Sequence, residues 1–183
     1  MECVNCKKNV WEKEQNQEYI VTEFTENQIG VLNRITAIYL RRKINIESLR
    51  VSESSVKGIS MFIISSITTE QVMARVVKQI KKIIEVFDAE YYTADDLITQ
   101  EVALYKISKS IFENGGGFEM VNKYPGTRVL EMNGDYVVVE MTGTRNEVEL
   151  LYKELKGSGA LEQFSRSGSV VLHRESIEEK LNM

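Results

Sequence analysis

The order of its hydrophobic periodicities constrains the fold of this chain more strongly than any single motif. Between residues 19 and 92, segments patterned as strands or helices follow one another as strand, helix, strand, strand, helix, strand. The strands are predicted at 19–24, 46–52, 59–67 and 85–92, with helices at 30–42 and from Thr68 onwards. This order is the split βαββαβ arrangement of ferredoxin-like folds.

A second unit of the same kind follows. Its strands are predicted at 101–107, 129–132, 135–141, 161–166 and 169–172, and its second helix follows Thr144. Its first helix should lie between residues 108 and 123, but Gly115, Gly116 and Gly117 interrupt it, at a cost of about 1 kcal/mol each. We therefore predict an α+β protein with two ferredoxin-like βαββαβ domains in tandem, and a broken or shortened helix in the second.

Periodicity and polarity also predict the boundaries of these units. We expect a polar tail at 1–17, a first domain at 18–93, a linker at 94–99, a second domain at 100–175 and a polar tail at 176–183. Two helices should begin at capping boxes, in which a threonine and the residue three positions later bond to each other's backbone N–H groups. The pairs are Thr68 with Gln71 and Thr144 with Glu147.

The polar corner between the first strand and the first helix is the best candidate for a binding site. Gly30 lies at the start of the helix, where unpaired N–H groups and the positive end of the helix dipole favour a carboxylate. Because it has no Cβ, Gly30 also lets a ligand approach the backbone. Asn27 can cap the helix or turn its amide towards a ligand's amino group. The alternative is that Gly30 only begins the helix and Asn27 only caps it.

This stretch resembles the ACT domain of the regulatory (small) subunit of acetolactate synthase, also called acetohydroxyacid synthase. That family typically shows E-N-x-x-G-x-L-x-R, then a helix that ends in R-R or Q-R, and then N-I-E-S-L. Here the first motif runs from Glu26 to Arg34, the basic pair is Arg41 and Arg42, and the last motif occupies 45–49. A glycine usually follows the basic pair, whereas this chain has Lys43.

The second unit resembles the same family less closely. Residues 101–107 are similar to its strand R-E-x-x-L-x-K-V, with Gln100 where arginine is usual. Glu131 stands where the family usually has aspartate, and residues 165–168 are similar to its A-R-[ST]-G motif. The resemblance therefore covers about residues 19–174, apart from the glycine run.

The resemblance implies a regulatory subunit rather than an enzyme. Such a chain would bind the catalytic subunit of acetolactate synthase, raise its activity, and transmit feedback inhibition by a branched-chain amino acid, valine before leucine or isoleucine. Thiamine diphosphate, magnesium and FAD would be held by the catalytic partner, and no cofactor by this chain. The alternative is a free-standing ACT amino-acid sensor that regulates another metabolic enzyme. The implied effector-binding residues are Asn27, Ile29, Gly30, Val31, Leu32, Asn45 and Ile46.

A homodimer or larger assembly is expected. Residues 61–64 and 137–139 are apolar on both faces of their strands, whereas the helices of such a unit cover only one face, so something else must cover the other. The strand that begins at Ile46 should lie at a sheet edge, open to pairing with another chain. A two-fold dimer joined through these edges would bring each corner at Gly30 near the partner's Asn45.

Neither a catalytic site nor a metal site is predicted. His173 is the single histidine, and its place at the end of an apolar strand favours a surface or strand-end role over a general base. The chain has no nucleophile elbow and no phosphate-binding glycine motif. Cys3 and Cys6 form a C-x-x-C pair, but a zinc site needs four ligands. A polar tail of unassigned role is favoured over zinc shared between two chains.

Composition excludes several other classes of protein. The 183 residues are 43% hydrophobic and 27% charged with a net charge of -4, which favours neither nucleic acid nor an anionic membrane as partner. No apolar run approaches the roughly 20 residues of a membrane-spanning helix. The N-terminus lacks the apolar region of a signal peptide, so a cytoplasmic protein is expected.

Overall fold

The computed structural model describes residues 16–114 and 116–174. Its first unit is a four-stranded antiparallel sheet with two helices. Cys3, Cys6 and the tail predicted at 176–183 lie outside the described residues. The strands have the spatial order β2-β3-β1-β4, so β2 is an edge strand, as predicted. The elements are β1 (Gln17–Glu26), α1 (Val31–Arg41), β2 (Ser48–Glu53), β3 (Ile59–Thr68), α2 (Glu70–Ile80) and β4 (Val86–Tyr92).

The second unit repeats this topology, with the strand order β6-β7-β5-β8. A short strand, β9, pairs with the first residues of β5. The predicted break in the first helix is confirmed: α3 ends at Asn114, and α4 begins after Gly116, whose φ is +72°. The elements are β5 (Ile98–Ser108), α3 (Lys109–Asn114), α4 (Gly117–Asn122), β6 (Thr127–Met132), β7 (Tyr136–Gly143), α5 (Arg145–Gly157), β8 (Leu161–Arg166) and β9 (Val170–Leu172). The fold class of two βαββαβ units in tandem is thereby confirmed.

One of the two predicted capping boxes is present. Thr144 caps α5, where the Glu147 N–H donates to the threonine hydroxyl and the Thr144 N–H donates to the Glu147 carboxylate at 2.7 Å. The box predicted at Thr68 is wrong. Thr68 is the last residue of β3, paired with Gln17, and α2 begins at Glu70, after Thr69, without a side-chain cap.

Each unit has its own hydrophobic core between sheet and helices. In the first, α1 buries Ile35 and Tyr39 against β1 and β3, at the spacing of one helix face. In the second, α5 buries Leu151 and Leu155 against β5 and β7. The helices thus lie on one face of each sheet, as the periodicity predicted.

The other face of the first sheet is covered by the same chain. Ile20 of β1 and Ile63 of β3 pack with Leu97 and with Val171 of β9, and none of the four is more than 6% exposed. The sequence predicted that a further element must cover this face, and residues of the same chain do so. Within residues 16–114 and 116–174, the corresponding face of the second sheet is less covered, since Leu104 of β5 is 40% exposed.

The segment between the units is short and ordered. Residues Ala94–Asp96 form a 3-10 helix capped by Thr93, and β5 begins at Ile98. Leu97, which falls within the predicted linker, is buried. The boundaries predicted for the two domains, with a linker at 94–99, remain a prediction.

Candidate functional site

The corner between β1 and α1 is fixed to the turn between β2 and β3. The Asn27 N–H donates to the Gly58 carbonyl oxygen at 3.1 Å, and the Gln28 N–H donates to the Glu26 carbonyl oxygen at 2.9 Å. The Gln28 side-chain amide also donates to the Glu26 carboxylate. The Glu26 N–H donates to the Glu85 carbonyl oxygen at 2.8 Å, so the connection between α2 and β4 also holds the corner at this end of the sheet.

Gly30 is the residue immediately before α1, and its backbone is left-handed, with φ +92°. A Cβ added there would have no heavy atom within 4 Å, so space does not demand a glycine. The backbone does, because residues with side chains rarely adopt this conformation. The sequence placed Gly30 at the start of the helix for the approach of a ligand; the structure adds a conformational reason for the same residue.

The N-terminus of α1 is open. Its first backbone bond is from the Arg34 N–H to the Gly30 carbonyl oxygen, at 3.2 Å, so the preceding N–H groups have no partner within the helix. No side chain of the described residues caps it, and its first turn has no acidic residue. The Asn27 side chain therefore does not cap the helix, while the alternative that Gly30 only begins it is not tested by this geometry. Open N–H groups at the positive end of an 11-residue helix suit a carboxylate.

Apolar side chains flank this helix end. Ile29 is fully exposed and Leu32 is 39% exposed, which leaves both free to contact the apolar part of a ligand. Val31 is buried in the first core and can offer a ligand only its backbone N–H. The corner thus combines donors for a carboxylate with apolar surface beside them.

Asn45 and Ile46 lie at the opposite end of the sheet within one chain. Ser48, the first residue of β2, is opposite Ser65 of β3, and Ser65 is opposite Ile20 of β1. Ile20 precedes Glu26, the end of β1, by six residues, which corresponds to about 20 Å of antiparallel strand. The exposed Asn45 amide donates to Glu47 at 2.9 Å, and Ile46 packs against the first core. One chain alone therefore does not bring Asn45 to Gly30.

A buried carboxyl group lies behind α1 and was not predicted from the sequence. Glu23 of β1 lies opposite Phe62 and Ala89 on the face covered by the helices, and it is fully buried. Neither of its carboxyl oxygens has a hydrogen-bond partner among the described residues, and the same holds for the Tyr39 hydroxyl. Burial raises the pKa of Glu23 to about 8. Strand alternation was the available signal, since it puts Glu23 on the face of Tyr19 and Val21.

Of the remaining candidate residues, the structure describes His173. His173 follows β9, and its ring lies 5.1 Å from that of Tyr92, between ring centroids. Within residues 16–114 and 116–174, no three or more His, Cys, Asp and Glu side chains are grouped so that they could hold a metal ion. No helix in this part of the chain is long and apolar enough to cross a membrane.

Comparison with known proteins gives matches to both units. Residues 23–88 match the family model of the AHAS small subunit-like ACT domain, and residues 100–175 match that of the small subunit of acetolactate synthase. The first match begins within β1 and ends within β4, and the second begins within β5 and ends beyond β9.

Individual relatives match along most of their length. The acetolactate synthase small subunit of Aquifex aeolicus is 28% identical over 183 residues, which are 100% of this chain and 95% of the relative. That of Mycobacterium leprae is 31% identical over 156 residues, 85% of this chain and 91% of the relative. The crystal structure of the small subunit from Thermotoga maritima superposes with a TM-score of 0.74 at 24% identity, covering 88% of this chain and 99% of that one.

Proposed function

Because this chain belongs to the family of acetolactate synthase small subunits, we propose that it binds the catalytic subunit of acetolactate synthase, raises its activity, and transmits feedback inhibition by a branched-chain amino acid, valine first. The observation that carries the effector part of this proposal is the uncapped N-terminus of α1 at Gly30. Thiamine diphosphate, magnesium and FAD belong to the catalytic partner, and the complex acts in the cytoplasm.

The geometry of the corner supports an amino acid as the effector. The carboxylate accepts hydrogen bonds from the N–H groups of Val31 and Leu32, at the positive end of the α1 dipole. The exposed side chains of Ile29 and Leu32 lie beside these donors and contact the branched aliphatic side chain of the effector. The ammonium group takes an amide oxygen as its acceptor, either from Asn27 or from the partner's Asn45.

A two-fold dimer joined through β2 completes this site. β2 is an edge strand, and two of its apolar side chains, Leu49 and Val51, are 36% and 42% exposed. Antiparallel pairing of two β2 strands about a two-fold axis sets the start of each strand beside the end of the other. Asn45 precedes the start of β2, and the corner at Gly30 lies level with its end, so the dimer brings together what one chain holds about 20 Å apart.

The decisive experiment reconstitutes the purified chain with the catalytic subunit from the same source. With thiamine diphosphate, magnesium and FAD present, we expect the catalytic subunit to convert pyruvate to acetolactate several times faster in the presence of this chain, and valine to reverse the gain. The chain alone should give no acetolactate. If valine stabilises the chain but the catalytic rate does not change, the chain is instead a free-standing ACT sensor.

A further inference from the structure

The outer surface of the first unit's helices is strongly basic, although the whole chain carries a net charge of -4. Glu70 is the only acidic residue within α1 and α2. The exposed basic residues on these helices and just beyond their ends are Arg34, Arg41, Lys43, Arg75, Lys78, Lys81 and Lys82. A predominantly basic face on an acidic protein is a place where a partner of opposite charge would bind.

Among the residues that the structure describes, two of these seven cations are paired with a carboxylate. Arg34 pairs with Glu85 at 2.8 Å, and Lys81 pairs with Asp88 at 3.0 Å. Arg41 and Lys82 form no ion pair with any residue in 16–114 or 116–174. Their charges therefore remain available to another molecule.

A groove of about 480 Å³ runs between α1 and α2 at the centre of this surface. Ala37, Ile38 and Ile83 line it with apolar side chains, while Arg41 and Lys82 line it with charge. Where α1 ends, Arg42 bridges the helices through a bond from its Nε to the Gln79 side-chain oxygen, at 3.2 Å. We call this feature the helical groove.

We propose that the helical groove is the docking site for an acidic, partly apolar segment of the catalytic subunit. This inference rests on the proposed function and identifies the surface through which the chain binds the catalytic subunit. The apolar side chains favour a protein over a polyphosphate or a nucleic acid, because aliphatic contacts contribute nothing to the binding of phosphate groups. Carboxylates of the segment meet Arg41 and Lys82, and its apolar side chains cover Ala37 and Ile83, which are both partly exposed.

The groove is separate from the proposed effector corner. The corner lies at the N-terminal end of α1, whereas Arg41 is the last residue of that helix, ten residues and about 15 Å further on. A substitution at Arg41 or Lys82 can therefore weaken docking without touching the residues proposed to bind valine.

The test measures how much of the full-length chain is needed to reach half of the maximal stimulation of the catalytic subunit. Arg41→Glu and Lys82→Glu should each raise this concentration about tenfold or more, with the maximal rate unchanged. Arg41→Lys keeps the charge and should stay within about twofold of wild type. Lys153→Glu makes the same charge change on α5 of the second unit, where Lys153 is 69% exposed, and should also stay within about twofold.

Two measurements make the outcome decisive. Wild-type stimulation should require more protein as salt is raised, and the two glutamate variants should show less of this dependence. Their stabilisation by valine should remain that of wild type, which establishes that they are folded.

Unchanged half-saturation in these variants, beside a wild type that stimulates normally, would overturn the docking site alone. A wild type that neither binds nor stimulates the catalytic subunit would overturn the proposed function as well. Loss of DNA binding in the variants, with unchanged stimulation, would assign the groove to a polyanion and overturn the proposal.

Discussion

The Ile44 N–H donates to the Tyr39 carbonyl oxygen at 3.1 Å and closes the C-terminal end of α1. A second bond, from the Lys43 N–H to the Leu40 carbonyl oxygen, completes a Schellman motif, in which Ile44 also packs on the core beside Tyr39. Lys43 lies between them with φ +57°, the one described non-glycine residue with a positive φ. This is the position where the family usually has glycine, and the backbone gives the reason.

Lys43→Gly should therefore stabilise the protein. The left-handed conformation costs a residue with a Cβ about 1 kcal/mol or more, and glycine avoids this cost while losing somewhat more backbone entropy on folding. We expect the free energy of unfolding to rise by about 0.5–1 kcal/mol, measured by urea denaturation. Lys43→Ala retains a Cβ and is the control, for which no gain is expected. A glycine variant less stable than wild type would contradict this account of the turn.

Glu23→Gln should remove a pH dependence of stability. The pKa of Glu23 is about 8 in the folded chain against 4.5 when unperturbed, so the folded state binds more protons between these values. The contribution of Glu23 to the free energy of unfolding is thus fully present below about pH 4.5 and is lost as the pH rises towards 8. Above pH 8 it changes no further. The total is on the order of 5 kcal/mol.

Urea denaturation at pH 5, 7 and 8.5 measures this effect. The glutamine variant should be about as stable as wild type near pH 5 and clearly more stable at pH 8.5. Glu119→Gln, at an exposed position of α4, should follow the wild-type curve throughout. A constant difference between wild type and Glu23→Gln across this range would mean that Glu23 does not take up a proton on folding.

Thr144→Ala should destabilise the chain by about 1 kcal/mol, because it removes the hydroxyl that caps α5. Thr69→Ala offers a matched comparison. Thr69 also precedes a helix, but its side chain makes no capping hydrogen bond, so its loss should cost no more than about 0.5 kcal/mol. Chemical denaturation of both variants at neutral pH gives the comparison, and equal losses would count against the capping interpretation.

Gly30→Asp should abolish stabilisation by valine. It introduces a carboxylate at the helix end where the effector's carboxylate is proposed to bind, on a backbone that disfavours a Cβ. For wild type, valine at a hundredfold excess over Kd should add about 2.7 kcal/mol, visible as a rise in Tm. Gly159→Asp is the matched control, because Gly159 also has a positive φ and open space around it. A Gly30→Asp protein that responds to valine as wild type does would place the effector elsewhere.

Val51→Lys should dissociate the proposed dimer and weaken the valine response with it. A lysine on an edge strand opposes pairing with a second strand, and Val51 is 42% exposed on β2. Light scattering at micromolar concentration should give a dimer or larger species for wild type and a monomer for the variant. Val129→Lys, 40% exposed on the outer strand β6 of the other sheet, should leave both the mass and the Tm shift unchanged.

Local patterns in the sequence predicted much of this fold. Strand and helix periodicity gave the order of the elements, and the glycine run gave the break between α3 and α4. The capping box at Thr144 was found because its partner stands at the right spacing, whereas Thr68 has the same spacing but is held in β3 by pairing with Gln17. The spacing of residues along the sequence does not reveal whether a residue pairs with a neighbouring strand instead of capping a helix.

Features that depend on contacts between residues far apart in the sequence were harder to predict. The cover on the second face of the first sheet comes from Val171, more than a hundred residues beyond Ile63. The open helix end at Gly30 was predicted, but the distance between Gly30 and Asn45 follows only from the register of three strands. Glu23 was missed because a lone carboxyl in a strand normally marks the solvent face.

Leu97 and Val171 make the two units interdependent. Both lie outside the first βαββαβ unit, yet they seal the side of its sheet that its own helices leave bare, against Ile20 and Ile63. A fragment cut after β4 would present that apolar surface to water and invite aggregation. Grafting the first unit onto another enzyme as a sensor would therefore require a substitute lining for this surface, or the transfer of the whole tandem.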